Sequence, residues 1–199
     1  MFLIQYLKSG CLILFAIVYL LTACEVVELD SAGKPIIPMS AEEAASLANL
    51  EPNVIADKIW HDLISDANKT SVTLNELEQT KENDKSYFVK FKGTIESIDE
   101  KSKSITVNLN TGNQIIPIQV GSIIKGNAIR DASSLLSFDQ FKNQIQYSRL
   151  SKALNKTGVE NIIKIDGSSV GKKVDVLSAL TIKNNQIQDV VPLNVQWIE

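Results

Sequence analysis

Tyr87-Phe88-Val89-Lys90-Phe91-Lys92-Gly93-Thr94-Ile95 is the stretch on which the fold turns, because here the hydrophobic period changes from that of a helix to that of a strand. Tyr87, Val89, Phe91, Gly93 and Ile95 fall on one face, and Phe88, Lys90, Lys92, Thr94 and Glu96 on the other, mostly polar one. Such alternation predicts a half-buried strand. Gly93 in its middle predicts a bulge or a sharp bend of the kind a small barrel needs to close. Downstream, Ile105, Val107 and Leu109 alternate with Thr106 and Asn108. Asn110-Thr111-Gly112-Asn113 then turns the chain into a third strand over Gln114 to Val120. A helical stretch follows, opened by the capping pair Ser137 and Gln140, with Phe138, Phe141 and Ile145 on one face and a less regular continuation to Leu150 and Leu154. Lys173 to Ile182 and Ile187 to Ile198 read as two final strands joined by Lys183-Asn184-Asn185-Gln186, a turn composition suited to positive φ. Pro192 makes the last one an edge strand or a bulged one.

Three strands, a helix and two strands is the linear order of a five-stranded OB-like antiparallel barrel. An open antiparallel sheet packed on helices has the same order. Either way the class is α+β, with N-terminal helices ahead of the strands. Ser40 and Glu43 form a capping box opening a helix over Ala41 to Leu50. Pro52 suits a first helical position, and Ile55, Ile59, Trp60, Leu63 and Ile64 recur at helical spacing through Ala67, which predicts a core position for Trp60. Thr73 and Glu76 repeat the capping pattern before Leu74 and Leu77, and the polar run from Gln79 to Ser86 separates a helical region (40–86) from the β domain (87–199).

The N-terminus carries a different message. Lys8 precedes an apolar run from Cys11 to Leu21, which is closed by Leu21-Thr22-Ala23-Cys24. The run falls short of the roughly 18 to 20 apolar residues of a spanning helix. The closing tetrad resembles the bacterial lipobox, so residues 1–23 read as a signal peptide cut between Ala23 and Cys24, with Cys24 carrying lipid, acyl chains such as palmitate included, and 24–39 as a lipidated tether. An uncut signal anchor would keep the same topology. Two or more acyl chains, at about 0.8 kcal/mol per buried methylene, hold such a protein stably on a membrane. Cys11 leaves with the signal peptide and the Cys24 thiol is consumed, so the mature domain relies on its core and not on a disulfide. Glu25 after the lipidated cysteine, in place of an inner-membrane-retention aspartate, favours the outer membrane of a Gram-negative envelope.

The net charge of −3 over 199 residues argues against a nucleic-acid partner, since no run of basic residues exceeds Lys172-Lys173. Asp166-Gly167-Ser168-Ser169-Val170-Gly171-Lys172-Lys173 fails as a phosphate loop, with glycine spacing one residue short and no Ser or Thr after the lysine, and reads as a surface turn. His61 is the one histidine, and without thiols it makes no metal set; no metal or cofactor is expected. No nucleophile elbow accompanies it. Glu96, Asp131, Asp139 and Asp189 could supply a carboxylate pair only if the fold brings two of them to glycosidase separation.

Gly121 to Tyr147 is the unusual segment, placing Arg130-Asp131 and Asn143-Gln144 among apolar residues. In one reading Arg130 and Asp131 fix the loop entering the helix while Asn143 and Gln144 cap backbone groups. In the other, Arg130, Asp131, Asn143 and Gln144 line a pocket that grips a hydroxylated or carboxylated ligand. With the lipobox, Trp60 and Gly93, the runs Gly126-Asn127-Ala128-Ile129-Arg130-Asp131-Ala132 and Phe138-Asp139-Gln140-Phe141-Lys142-Asn143-Gln144-Ile145 resemble a family of predicted bacterial periplasmic lipoproteins, domain of unknown function 2291. The likeness would cover nearly the whole mature chain. It departs at Gln146, where the family commonly has an acidic residue. The resemblance implies an envelope location and, from genes often placed beside sugar ABC-transporter components, a link to carbohydrate uptake.

The expectation is a non-enzymatic, membrane-tethered accessory module that binds a small solute, a sugar or sugar acid, or a transporter-associated protein. Its rivals are a carbohydrate-active enzyme with a carboxylate pair and a structural envelope lipoprotein that contacts other proteins.

Overall fold

The computed structural model describes residues 47–101 and 103–198, all within one compact unit, Met39–Glu199. The lipobox, Cys24, the tether and the Ser40 capping box lie outside the described residues. Of the helix predicted over Ala41 to Leu50, the described part, from Leu47 on, holds a 3-10 turn at Leu47–Asn49.

Helix α1 (Pro52–Thr70) begins with proline at its first turn, where a missing N–H leaves no helical bond unmade. It buries Ile55, Ala56, Ile59, Leu63 and Ala67, the stripe expected from three- and four-residue spacing. Trp60 is partly buried and packs against this core from its margin. Strand β1 (Val72–Thr73) was not foreseen; it pairs in parallel with the next strand, Val72 opposite Val89. Thr73 also caps α2 (Leu74–Thr80) with the predicted capping box. The Thr73 backbone N–H donates to the Glu76 carboxylate at 2.7 Å, and this bond, followed by the hydroxyl's, holds the Glu76 carboxyl below its ordinary range.

Strand β2 (Ser86–Lys101) is the spine. Its first half, Ser86 to Thr94, pairs antiparallel with β5 (Lys173–Lys183), and its second half, Thr94 to Lys101, with β3 (Ser104–Asn110). One strand thus serves two neighbours on opposite ends and must bend between them. The bend falls where the sequence placed it. The register shifts between Ile95 and Ser97, and a Cβ on Gly93 would sit 3.2 Å from the Asn110 carbonyl oxygen and 3.3 Å from the Leu109 Cβ. Strand β4 (Ile115–Gln119) follows β3 through a turn in which Gly112 takes φ +91°. β5 joins β6 (Gln186–Trp197) through Asn184 and Asn185, with φ of 52° and 61°, the paired positive angles of a tight hairpin turn.

The strand order is β4-β3-β2-β5-β6, with β1 as a short sixth strand beside β2. β4 and β6 approach one another across the gap, curling the sheet into a nearly closed barrel. β6 stands last in the order and slips register beside Pro192, so it is both an edge strand and a bulged one.

Two hydrophobic clusters share the sheet. Val89, Phe91, Ile95, Val107, Leu109 and Val176 fill the barrel. Phe88, Leu177, Ala179, Val191 and Leu193 face outward and meet Ile55, Ile59, Ile129, Leu150 and Leu154 of the helices. Phe88 therefore does not lie on a solvent face, as the alternation had suggested. The outer side of β2 is polar only beyond it. The same two-sided burial accounts for β5, which is buried almost without a break from Val174 to Ile182, Ser178 and Thr181 included.

Helix α3 (Ala128–Ala132) and helix α4 (Gln144–Glu160) connect β4 to β5, and α1 packs along α4. The predicted continuous helix from Ser137 is interrupted. Ser137 and Gln140 do form their capping box, but around a 3-10 turn at Phe138–Gln140; the chain is then extended at Phe141, and α4 starts afresh under Asn143. Phe138 (49% exposed) and Ile145 (64%) consequently leave the buried face that Phe141 keeps.

Candidate functional site

Arg130 lies on the five-residue helix α3 and is 7% exposed, so its charge is held inside the protein. Its Nε donates to Asp131 Oδ1 at 2.7 Å, its Nη2 stands 2.6 Å from the same oxygen, and its Nη1 donates to the Tyr147 carbonyl oxygen at 3.1 Å. The guanidinium also stacks 3.9 Å from the centre of the Tyr147 ring. Phe138 and Phe141 flank that ring at 5.5 and 5.1 Å. Burial raises the Tyr147 phenol above its ordinary pKa, against the opposing pull of Arg130. The planar donors of Arg130 thus tie α3 to the first turn of α4, and stacking orients them.

The other predicted ligand residues do not join this cluster. Asn143 is the N-cap of α4, its Oδ1 accepting from the Gln146 N–H at 3.0 Å. Gln144 is exposed on the first turn. The residue that reaches furthest is Gln146, whose significance the sequence concealed. Its Nε2 lies 2.8 Å from the Leu50 carbonyl, 3.2 Å from that of Ala48 and 3.4 Å from that of Leu47, while its Oε1 accepts from the Lys142 N–H. A carboxylate at this position would face three carbonyl oxygens with no donor to offer. Asp66 was missed as well: its carboxylate accepts from Ser133 Oγ, Ser134 N and Ser134 Oγ, joining α1 to the loop after α3.

The four carboxylates considered for catalysis stand with different partners. Asp131 holds Arg130, Asp189 accepts from Lys183 Nζ at 2.6 Å, Asp139 accepts from Ser137, and Glu96 lines a groove beside Gly93. His61 sits on the surface of α1 with Nδ1 3.9 Å from Asp62. Gly167–Ser169 forms a 3-10 turn capped by Asp166, in keeping with a surface turn. Among the described residues no group of His, Cys, Asp and Glu could hold a metal ion, and no helix is long and apolar enough to cross a membrane.

Open space lies elsewhere. A groove of about 500 Å³ runs between residues 120–124 and α4, with Ile123, Ile124 and Val159 on its apolar walls, Lys152, Lys156 and Glu160 at its polar edge, and the buried Asn155 among the residues around it. The loop wall is pinned to β3 and the turn before it: Val120 N and Gly121 N donate to the Ile105 carbonyl, and Ile123 N to that of Lys103. Gly121 is required by that contact. A Cβ there would stand 2.4 Å from Ile105 N and 2.5 Å from Lys103 O, both backbone atoms that cannot step aside. Gly121→Ala is expected to cost about 1–3 kcal/mol of stability through overpacking, read as a fall in the thermal midpoint of the purified protein. Three other grooves, near Gly93, near Thr73 and near Asn143, carry one carboxylate each: Glu96, Glu78 and Glu51.

Asn155, among the residues around the first groove, is the third polar residue the sequence hid. The signal was available in principle, since it interrupts the buried stripe Leu150, Ala153, Leu154 and Gly158 of α4. Its Nδ2 donates to the Gly126 carbonyl at 3.0 Å, and its Oδ1, fully buried, has no partner among the described residues.

The fold and sequence have relatives. A crystal structure of an OB-fold protein from Thermotoga maritima is similar in fold, with a TM-score of 0.54 at 19% identity, covering 75% of this chain and 99% of that one. Comparison with curated proteins finds no match. A family model described as predicted periplasmic lipoprotein, DUF2291, matches residues 14–196, which places the protein in the cell envelope facing the periplasm. With that match spanning most of its length, the chain belongs to the DUF2291 family of predicted periplasmic lipoproteins.

Proposed function

We propose that the protein is a non-enzymatic accessory module, anchored through lipid on Cys24 and working beside sugar ABC transport by binding a small solute. The observation that carries this reading is the groove along α4, of small-molecule size, where a single carboxylate stands among lysines, an amide and apolar walls. Hydrolysis of a glycosidic bond ordinarily calls for two carboxylates at fixed separation. Asp131, Asp189 and Asp139 are engaged by separate partners, and Glu96 lines a different groove. Glu25 favours attachment to the outer membrane.

A panel of neutral sugars and sugar acids tests the reading. The purified full chain in detergent is heated with each compound, and the compound is recovered and analysed. A ligand bound by the folded state alone raises the melting temperature by mass action. The expected outcome is a raised midpoint with the compound returned intact. Recovery of a cleaved or altered sugar would replace this reading with the carbohydrate-active enzyme. A panel without any shift would replace it with a lipoprotein that contacts other proteins.

A further inference from the structure

We infer that the end of the fold formed by the starts of α1 and α4 is the face that lies on the membrane, and that it binds an anionic phospholipid surface. The inference rests on the lipid anchor at Cys24 proposed above and is independent of the solute. The shallow groove at this end, lined by Leu50, Glu51, Pro52, Lys142, Ile145 and Arg149 among others, shares no residue with the groove further along α4.

Three observations meet at this end. The first is an apolar excess. Ile145 is 64% exposed, more than any other large hydrophobic residue among those described, and Val54 is 52% exposed two positions past Pro52. A β-branched residue has no propensity advantage in a helix, so the helix itself gains nothing from an isoleucine on the first turn of α4. Exposed apolar side chains set among cations suit a membrane interface.

The second is charge. From Lys142 to Val159 the chain holds Lys142, Arg149, Lys152 and Lys156 and no acidic residue, in a protein whose net charge is −3. These cations are exposed, whereas Leu150, Ala153 and Leu154 form the buried face of α4. Ile145, Arg149 and Lys152 recur at the spacing that sets side chains on one helix face. α4 has no acid in its first turn, so the positive end of its dipole adds to Lys142 and Arg149. Within the groove Glu51 opposes these two cations and is outnumbered by them.

The third is where the chain arrives. The sequence coming from Cys24 enters the described fold at Leu47, and the Gln146 amide fastens the carbonyls of Leu47, Ala48 and Leu50 to the first turn of α4. The stretch from Cys24 to Leu47 reaches no more than about 80 Å even when fully extended. A surface held that close presents itself at a high effective concentration, so a patch of modest strength suffices to dock.

The test places one environment-sensitive fluorophore on the full chain, expressed with its signal peptide and purified from membranes. The label is carried by Ile145→Cys or, as the control, by Asn113→Cys in the turn between β3 and β4, at the other end of β4 from residues 120–124. Mass spectrometry reports the lipid on Cys24. Each protein is reconstituted into vesicles of phosphatidylcholine alone or mixed with phosphatidylglycerol, with brominated acyl chains as the contact quencher. On the phosphatidylglycerol vesicles the label at position 145 is expected to shift to the blue and be quenched, while the label at position 113 stays as in water. Raised salt is expected to reverse the response, because exposed charges are screened. Lys142→Gln combined with Arg149→Gln, both at exposed positions, is expected to lower the docked-to-undocked ratio about twenty- to thirtyfold, at about fivefold for each cation.

A silent label at position 145 on a chain that carries lipid on Cys24 would overturn the docking face and leave the anchor standing. A chain without that lipid would overturn the anchor and this inference with it. Equal responses at positions 145 and 113 would overturn the preferred face. A response that follows protein density in place of lipid charge would replace the phospholipid surface with a second copy of the chain.

Discussion

Phe88→Ala is expected to destabilise the protein by about 3–5 kcal/mol, the cost of an emptied aromatic site in a packed core. Phe88 is buried in the cluster that joins β2 to the helices, with Ile59, Ile129, Leu150 and Leu154 in the same cluster. The strand's alternation alone would put it among Lys90 and Lys92 on a solvent face. In that setting the substitution would change stability by no more than about 0.5 kcal/mol. Urea denaturation of the wild-type and Phe88→Ala proteins separates the two cases, and a small effect would mean that the helices do not cover this face of the barrel. A Phe88→Leu protein, which keeps most of the apolar volume, is expected to recover most of the loss.

Arg130→Ala is expected to cost about 3 kcal/mol, since it removes a buried charge that satisfies the Tyr147 carbonyl and pairs with Asp131. Lysine is a poor substitute: it can approach Asp131 but cannot present parallel donors or stack flat on Tyr147. Arg130→Lys should therefore fall between alanine and wild type in thermal unfolding. The solute panel gives the complementary readout. Protein that remains folded after Arg130→Ala is expected to bind as the wild type does, because Arg130 is engaged internally and does not line the groove along α4. Loss of binding in a well-folded Arg130→Ala protein would restore this residue to the ligand site.

Much of the fold was legible because strands and caps are local events. The bend at Gly93, the asparagine turn at Asn184 and Asn185, the bulge near Pro192 and the capping boxes at Thr73 and Ser137 all follow from a few neighbouring residues. What eluded sequence reading depends on distant chain. Val72 becomes a strand only because Val89 is beside it. Phe88 is buried only because helices far away in sequence return to cover it, and Ile145 is exposed because the chain breaks at Phe141. The site was harder for the same reason. Arg130 and Asp131 announce themselves by charge, yet their partner Tyr147 lies 17 residues on, and that engagement turns them from ligand candidates into braces. Asn155 and Gln146 look like ordinary polar helix residues until the groove and the carbonyls of residues 47–50 come into view.

The double pairing of β2 also sets an order of events for a protein that folds outside the cytoplasm. Ser86 meets Thr181, 95 residues away, so β2, β3 and β4 can form their meander well before β5 exists to complete it. Such distant pairing slows folding, and until it is made the first half of β2 is a bare strand edge able to accept a neighbour's strand. Lipid-anchored chains share a surface, which brings such edges close together. The paired asparagines at 184 and 185 counter this hazard: by presetting the hairpin, they let β5 and β6 arrive as one clasp that closes the vulnerable edge in a single step.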